Sequence, residues 1–252
     1  LQRGAPGLLN KWDRSKIAVM NGVDLVIELP TIFAMNSADY FSYGAVSLLD
    51  SIGIVDTLCF GSESGHIDNF KAMSKTLVDE PAPYIQTLKE NLNTGLPFPK
   101  ARELAIQSFF EDEGLPFTNL FTSPNNILGI EYIKSLMALS STIIPASIKR
   151  IESDYNSSDI QNPISSATAI RNTLSDSKDD LSLITHTVPP STLASLESYI
   201  DTGYNFVYSN DFSQMVLSKI RTTPKEILKE IHDVAEGLEN RILNASYHAT
   251  SF

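Results

Sequence analysis

The residues best suited to chemistry lie between Ser147 and Arg171. Ser147-Ile-Lys-Arg-Ile reads as a short strand and Asp154-Tyr-Asn-Ser-Ser as a polar loop. Pro163-Ile-Ser-Ser-Ala-Thr-Ala-Ile-Arg171 then opens a helix with two serines, a threonine and an arginine in its first turns. A helix start leaves backbone N–H groups without intrahelical partners and carries the positive end of the macrodipole, so it attracts phosphate. Ser165 is the natural N-cap. With that cap, Ala167, Ile170 and Leu174 share the face turned to the core, while Thr168 and Arg171 share another that suits an anion. The same residues also fit an ordinary capped helix with a surface arginine. Lys149 and Arg150 place two cations nearby in sequence, which favours a nucleotide phosphate.

The elements that must position these groups alternate between strand and helix. Asp24-Leu-Val-Ile-Glu-Leu-Pro30 is a near-continuous apolar run closed by proline, the pattern of a strand buried on both faces of a parallel sheet. Before it, a helix capped by Asn10 or Asp13 is expected to turn Ile17, Met20 and Ala18 inward. Residues 36–53 read as a helix with Tyr40, Tyr43, Ala45, Val46, Leu48 and Leu49 on its apolar face and Gly53 as its stop. Asp56 to Glu63 is the next strand and ends in Gly61-Ser62-Glu63, where a backbone and a ligand can approach closely.

From 67 to 112 the pattern is helical twice over, broken by Pro81, Pro83 and the Gly95-to-Pro99 loop, and it looks like an insertion that shapes a pocket wall. Ser123-Pro-Asn-Asn begins another helix with Pro124 at its first position. Asn125 and Asn126 lie in its first turn, able to cap it or to contact a base or ribose. After about residue 178 only helical periodicity remains, over 179–201 and 211–244. The fold class is therefore α/β, with an α/β domain over 1–177 carrying an insertion at about 67–122, and a helical C-terminal region over 178–252.

Composition narrows the partners. A net charge of −11 gives the chain no broad basic footprint for nucleic acid, so any RNA contact has to be local or come from elsewhere. A single cysteine, Cys59, excludes an internal disulfide and fits a reducing compartment. No apolar run has the length of a membrane span, and a cytoplasmic location is expected. A phosphate-binding loop ending in Gly-Lys-Ser/Thr and a GxGxxG fingerprint are both missing. His66, His186, His232 and His248 are scattered without metal-ligand spacing, so no metal ligand is assigned. What is present suits positioning and charge stabilisation of a nucleotide, with little covalent chemistry from the protein.

In order along the chain, Gln2-Arg-Gly, Asp24-Leu-Val-Ile-Glu-Leu-Pro30, Phe60-Gly-Ser-Glu63, Ser123-Pro-Asn-Asn-Ile-Leu-Gly-Ile-Glu-Tyr-Ile-Lys134 and Ile164-Ser-Ser-Ala-Thr-Ala-Ile-Arg171 resemble the bacterial tRNA(Met) cytidine acetate ligase family. That family is similar to the nucleotidyltransferase superfamily. The resemblance implies a Rossmann-like nucleotidyltransferase sheet and a two-step reaction. Acetate attacks the ATP α-phosphate to give acetyl-adenylate and pyrophosphate, and N4 of the wobble cytidine of elongator tRNA(Met) then takes the acetyl group.

By the same resemblance Gly61, Asn125 and Arg150 contact ATP, with Asn126 the alternative one position on. Ser165, Ser166, Thr168 and Arg171 form the phosphate-facing start, and Arg3, Lys11 and Arg14 are weaker candidates at an entrance. Arg171 is the one catalytic candidate, and Mg2+ is expected because ATP chemistry commonly uses it. The family's His-x-Gly-His turn has no counterpart here. The expectation is that the sheet is N-terminally incomplete and that a basic tRNA-binding segment lies beyond residue 252. Activity of the parent protein and of this chain are thus separate expectations. A nucleotidyltransferase acting on a small coenzyme precursor and a non-catalytic nucleotide-binding module are the alternatives.

Overall fold

The computed structural model describes residues 6–150 and 164–251. Its elements run α1 (Lys11–Met20), α2 (Thr31–Ala34), α3 (Ala38–Ile52), β1 (Thr57–Ser62), α4 (Ile67–Asp79), α5 (Ala82–Asn93), α6 (Phe98–Asp112), α7 (Pro124–Ala138), β2 (Ile144–Lys149), α8 (Ala167–Asp176), α9 (Pro190–Asp201), α10 (Ser213–Thr222), α11 (Lys225–Leu228) and α12 (Leu238–His248). The class is α/β, as expected, with a small parallel sheet among many helices. Packing divides the chain into two compact units, Ile27–Glu152 and Leu1–Val26 with Ser153–Phe252. The helix that starts at Ala167 therefore packs with the C-terminal helices, whereas the sequence reading grouped it with the sheet. The Asp154-to-Ser158 loop and Arg3 lie outside the described residues.

In the first unit β1 and β2 pair in parallel, from Thr57 opposite Ile144 to Ser62 opposite Lys149. Strand β2 begins three residues earlier than its basic end suggested, because Asp56 O accepts from Ile144 N–H at 2.9 Å and sets the register there. The expected strand over Asp24–Pro30 does not form. The segment has no assigned secondary structure and pairs with no strand among the described residues, and Leu25 is 61% exposed. An apolar run makes a strand only where a ladder partner accepts its backbone groups.

The stretch from 67 to 112 holds three helices, not two, with Pro81 and Pro97 as the N-caps of α5 and α6. They carry the main core: Phe70 and Met73 of α4, Tyr84 of α5 and Ala105, Ile106 and Phe110 of α6 pack with Phe60 of β1 and with Ile130 and Ile133 of α7. On α3, Val46 is buried as expected and Leu49 packs on the same cluster, but Tyr40 and Tyr43 are 49% and 44% exposed and Ser42 and Gly44 take the buried positions of the N-terminal half instead. Gly53 ends that helix in the left-handed conformation at φ +71°.

Helix α7 is the central strut. A Cβ at Gly129 would stand 2.4 Å from Phe60 Cε2 and 3.0 Å from Phe70 Cε1, so only glycine lets this helix close on β1 and α4. Two residues on, Glu131 is 4% exposed. Its carboxylate meets Lys134 of the same helix and lies 3.9 Å from the Arg102 guanidinium of α6, while Lys134 reaches Asp39 of α3 at 3.8 Å. Burial pushes the Glu131 carboxyl above the usual carboxylate range, against the opposing pull of Lys134.

In the second unit Leu9, Leu174, Ile184, Leu196, Tyr199 and Phe206 form the core, with Ile17 and Ile170 packed on it. Asn10 caps α1, its side-chain oxygen accepting from Trp12 N–H at 2.9 Å and Asp13 N–H at 3.0 Å. Met20 is 52% exposed instead of inward. The C-terminal periodicity breaks after Leu228. Asp233, Glu236 and Gly237 all adopt positive φ before α12, which leaves Ile227 and Ile231 about half exposed. Among the described residues no helix is long and apolar enough to cross a membrane.

Two outcomes follow for α7. Gly129→Ala lowers unfolding free energy by about 1–3 kcal/mol through overpacking, measured by urea denaturation. Glu131 holds its proton to higher pH when folded than when unfolded. Its contribution to stability is therefore present below the usual carboxylate range and is lost as pH rises through the folded value. Melting of Glu131→Gln as a function of pH should lack that fall.

Candidate functional site

The carboxyl ends of β1 and β2 lie side by side, and the chain leaves both in a way that converges on Glu63. Beyond the last ladder pair, Arg150 N–H donates to Ser62 O at 2.8 Å, which extends the register by one step. The loop after β1 turns on Ser62, which is fully buried and whose hydroxyl accepts from Gly65 N–H at 2.7 Å. Gly65 sits at φ +73°, and a Cβ there would fall 2.8 Å from Lys149 Cβ. Its carbonyl accepts from the Ser147 hydroxyl at 3.0 Å. The turn thus folds back on β2 and needs glycine for both conformation and space.

Helix α7 delivers its first turn to this turn. Pro124 occupies its opening position, and Ser123 makes no side-chain cap. The asparagines that follow do different things. Asn126 is 3% exposed, and its side-chain oxygen accepts from Glu63 N–H at 3.1 Å. Asn125, less buried, donates its side-chain N–H to Glu63 Oε1 at 2.6 Å. The Arg150 guanidinium lies 4.0 Å from the same Oε1, with 45% of its side chain exposed. At that distance, with the arginine side chain nearly half exposed, the attraction is weak.

Gly61 faces the same arginine, for a Cβ there would meet Arg150 Cγ at 3.3 Å. The structure therefore brings together four predicted residues, Gly61, Asn125, Asn126 and Arg150, around a fifth, Glu63. Glu63 Oε2 and the Ser64 hydroxyl are buried with no hydrogen-bond partner among the described residues. An unmade bond at a buried polar atom costs on the order of 1–3 kcal/mol, more for a charged group.

The remaining predicted residues lie at the start of α8 in the other unit. The cap is Ser166, not Ser165: its hydroxyl accepts from Ala169 N–H at 3.0 Å. The shift by one residue leaves Ala167 exposed and Leu174 as the buried anchor of the helix, with Thr168 exposed and Arg171 half-buried. Lys11 stands 5.2 Å from the ring of Trp12, which is 74% exposed. Two open clefts lie elsewhere, one of about 440 Å³ beside Lys16, Tyr199 and Tyr204 and one of about 490 Å³ beside Lys71, Ile133 and Pro145; neither is lined by a predicted ATP contact. Among the described residues no group of three His, Cys, Asp or Glu is placed to hold a metal ion.

The family model described as HIGH Nucleotidyl Transferase matches residues 1–252. The chain belongs to that family. Relatives of this chain include the tRNA(Met) cytidine acetate ligases of Alkaliphilus metalliredigens, 45% identical over 98% of this chain and 60% of the relative, and of Clostridium novyi, 41% identical over 100% and 62%. The chain thus spans about three fifths of the length of these curated relatives. Among solved structures, apo Thermotoga maritima TmcAL superposes with a TM-score of 0.93 at 34% identity, covering 100% of this chain and 59% of that one. A second crystal form of TmcAL, bound with alpha-thio ATP, gives 0.90 at 33% identity, covering 99% and 58%. A nucleotidyltransferase-type α/β fold is therefore established for this chain.

Sequence reasoning placed Glu63 at the ligand edge of β1 without giving it a role. The signal was there in the Gly-Ser-Glu strand end, but its pairing with Asn125 spans 62 residues and is visible only once α7 is docked. Asn126→Ala removes the acceptor of a part-buried N–H and should lower unfolding free energy by about 1–3 kcal/mol in urea denaturation, whereas Asn125→Ala should cost less than half as much.

Proposed function

We propose that this chain is the nucleotide-handling body of an ATP-dependent tRNA(Met) cytidine acetate ligase. In this reading acetate attacks the ATP α-phosphate and pyrophosphate leaves; N4 of the wobble cytidine of elongator tRNA(Met) then attacks the acetyl carbonyl of the acetyl-adenylate, forming the amide as AMP leaves and the amine loses a proton. The single observation that carries the proposal is the cluster of Gly61, Asn125 and Arg150 around Glu63 at the strand ends. It stands at the carboxyl edge of a parallel sheet, where α/β folds take their ligands. The relatives' shared name and the alpha-thio ATP in TmcAL support the choice of substrate.

Each residue then has a task. Gly61 leaves the edge of β1 open, Asn125 offers an amide to the nucleoside, and Arg150 offers a cation only weakly engaged by Glu63. Asn126 is structural in this assignment, because its oxygen is already engaged by Glu63 N–H. Ser165, Ser166, Thr168 and Arg171 are proposed to take phosphate charge at the α8 start, where unpaired backbone N–H groups and the helix dipole favour an anion. Arg171 is the residue proposed to offset charge as pyrophosphate leaves. Magnesium is proposed to arrive with the ATP phosphates, and the reaction to take place in the cytoplasm. The coenzyme-precursor and non-catalytic readings are less well supported, since the relatives that match nearly all of this chain carry the tRNA ligase name.

Calorimetric titration of ATP tests the reading, run on this chain and on the protein in the full length its gene encodes. Saturable binding by the full-length protein, weakened about tenfold or more by Arg150→Ala and by Arg171→Ala, is expected. Full-length protein that ignores ATP, or that binds it equally well in both variants, would overturn the assignment.

A further inference from the structure

The cleft of about 440 Å³ in the second unit gathers an open aromatic ring and a cation. Helices α1 and α9 wall it. Asp13, Lys16 and Met20 line one side at helical spacing, Ser198 and Tyr199 line the other, and Tyr204, just beyond α9, completes the lining. Tyr204 is 59% exposed, yet it is held in place. Gly203, at φ +85°, turns the chain back at the end of α9, and Tyr204 N–H donates to Tyr199 O at 3.3 Å. The Tyr204 ring then lies on that of Tyr199, 5.0 Å between centroids and 25° between planes, and the buried Tyr199 stacks in turn on the core ring of Phe206. A ring anchored in this way takes a flat partner without first having to be ordered.

Charge beside the cleft is local and cationic. On α1, Lys11, Arg14 and Lys16 stand against Asp13 alone, in a chain of net charge −11. Lys16 is exposed and makes no ion pair among the described residues. The Asp13 carboxylate accepts from the Asn10 amide at 2.6 Å, which fixes it, and the acidic Glu197 and Asp201 of α9 do not line the cleft.

Single-stranded RNA is held by such a combination, because its bases stack on aromatic faces and its phosphates pair with lysine. An enzyme that acetylates N4 of a wobble cytidine must draw that base out of the anticodon loop, which leaves its neighbours unstacked. We infer that this cleft takes one of those neighbours: an unpaired base beside the wobble cytidine lies on Tyr204, with its edge toward Asp13 and its phosphate on Lys16. The inference rests on the tRNA ligase reading. It assigns a local RNA subsite to a chain whose overall charge repels RNA.

The full-length protein is titrated with elongator tRNA(Met) and with two versions of it that lack the base on one or the other side of the wobble cytidine. One of the abasic tRNAs should bind about tenfold or more weakly than the intact one. Tyr204→Ala should weaken intact tRNA by a similar factor and that abasic tRNA by about twofold or less, whereas Tyr204→Phe keeps the ring and binds as wild type does. Lys16→Ala should reduce the salt dependence by about one phosphate contact. Ser198→Leu fills the cleft from an exposed position and should also weaken intact tRNA about tenfold, which keeps the test decisive if Tyr204→Ala does not fold. ATP affinity within about twofold of wild type identifies the folded variants. Folded Tyr204→Ala or Ser198→Leu that binds intact tRNA as wild type does, Tyr204→Ala that weakens intact and abasic tRNA alike, or an unchanged salt dependence in Lys16→Ala would overturn the inference and leave the ligase reading standing. Wild type that binds ATP but not tRNA would overturn both.

Discussion

The cluster around Glu63 depends on one parallel ladder of six residue pairs, Thr57 with Ile144 through Ser62 with Lys149. Parallel strands hydrogen-bond with their carboxyl ends on the same side, so this register fixes where two unrelated segments of chain emerge together. One emerges as Gly61-Ser62-Glu63, the other as Lys149-Arg150. A slip of one residue in β2 would exchange its two faces. It would also take the Arg150 N–H away from Ser62 O, where it now closes the end of the sheet. The glycine at 65, pressed against Lys149, turns the exit of β1 back over its partner and converts a strand end into a rigid edge.

Helix α7 works against that edge as a lever held at its middle. Gly129 lets it approach Phe60, and the apolar side chains of Ile130 and Ile133 bury one face. Glu131, with Lys134 and Arg102, ties it to the neighbouring helices. The buried charge is a costly way to fix a helix, since a well-packed apolar residue stabilises as much or more. It does restrict α7 to one rotation and one axial position. That restriction reaches the first turn of the helix, where Asn125 and Asn126 must meet two different atoms of Glu63.

The sequence was most informative where local rules act alone. Asn10 before α1, Pro124 opening α7 and Gly53 closing α3 each follow from backbone chemistry within one turn and were legible directly. The cap of α8 was misplaced by one residue because Ser165 and Ser166 are chemically equivalent; only the Ala169 N–H distinguishes them. Leu25 to Ile27 reads as strand by composition, yet forming one requires a neighbouring backbone that local pattern does not reveal. On α1 Ile17 packs inward as read but Met20 does not, for a related reason: a short helix on a small core buries few of its apolar residues. At the strand ends the residues were recognisable, but the division of labour between Asn125 and Asn126 was not. It is decided by a carboxylate more than sixty residues away in sequence.

The central claim is that nucleotide binds at the paired ends of β1 and β2 against the first turn of α7. The most direct measurement is amide NMR of the isotope-labelled full-length protein during ATP addition, following backbone signals and the distinct side-chain NH2 signals of asparagine. The account predicts that the Gly61, Glu63 and Arg150 backbone amides and the Asn125 side-chain amide shift together and saturate at one concentration, while the Asn126 side-chain amide moves little. Saturable shifts that spare Gly61, Glu63 and Asn125 would contradict it.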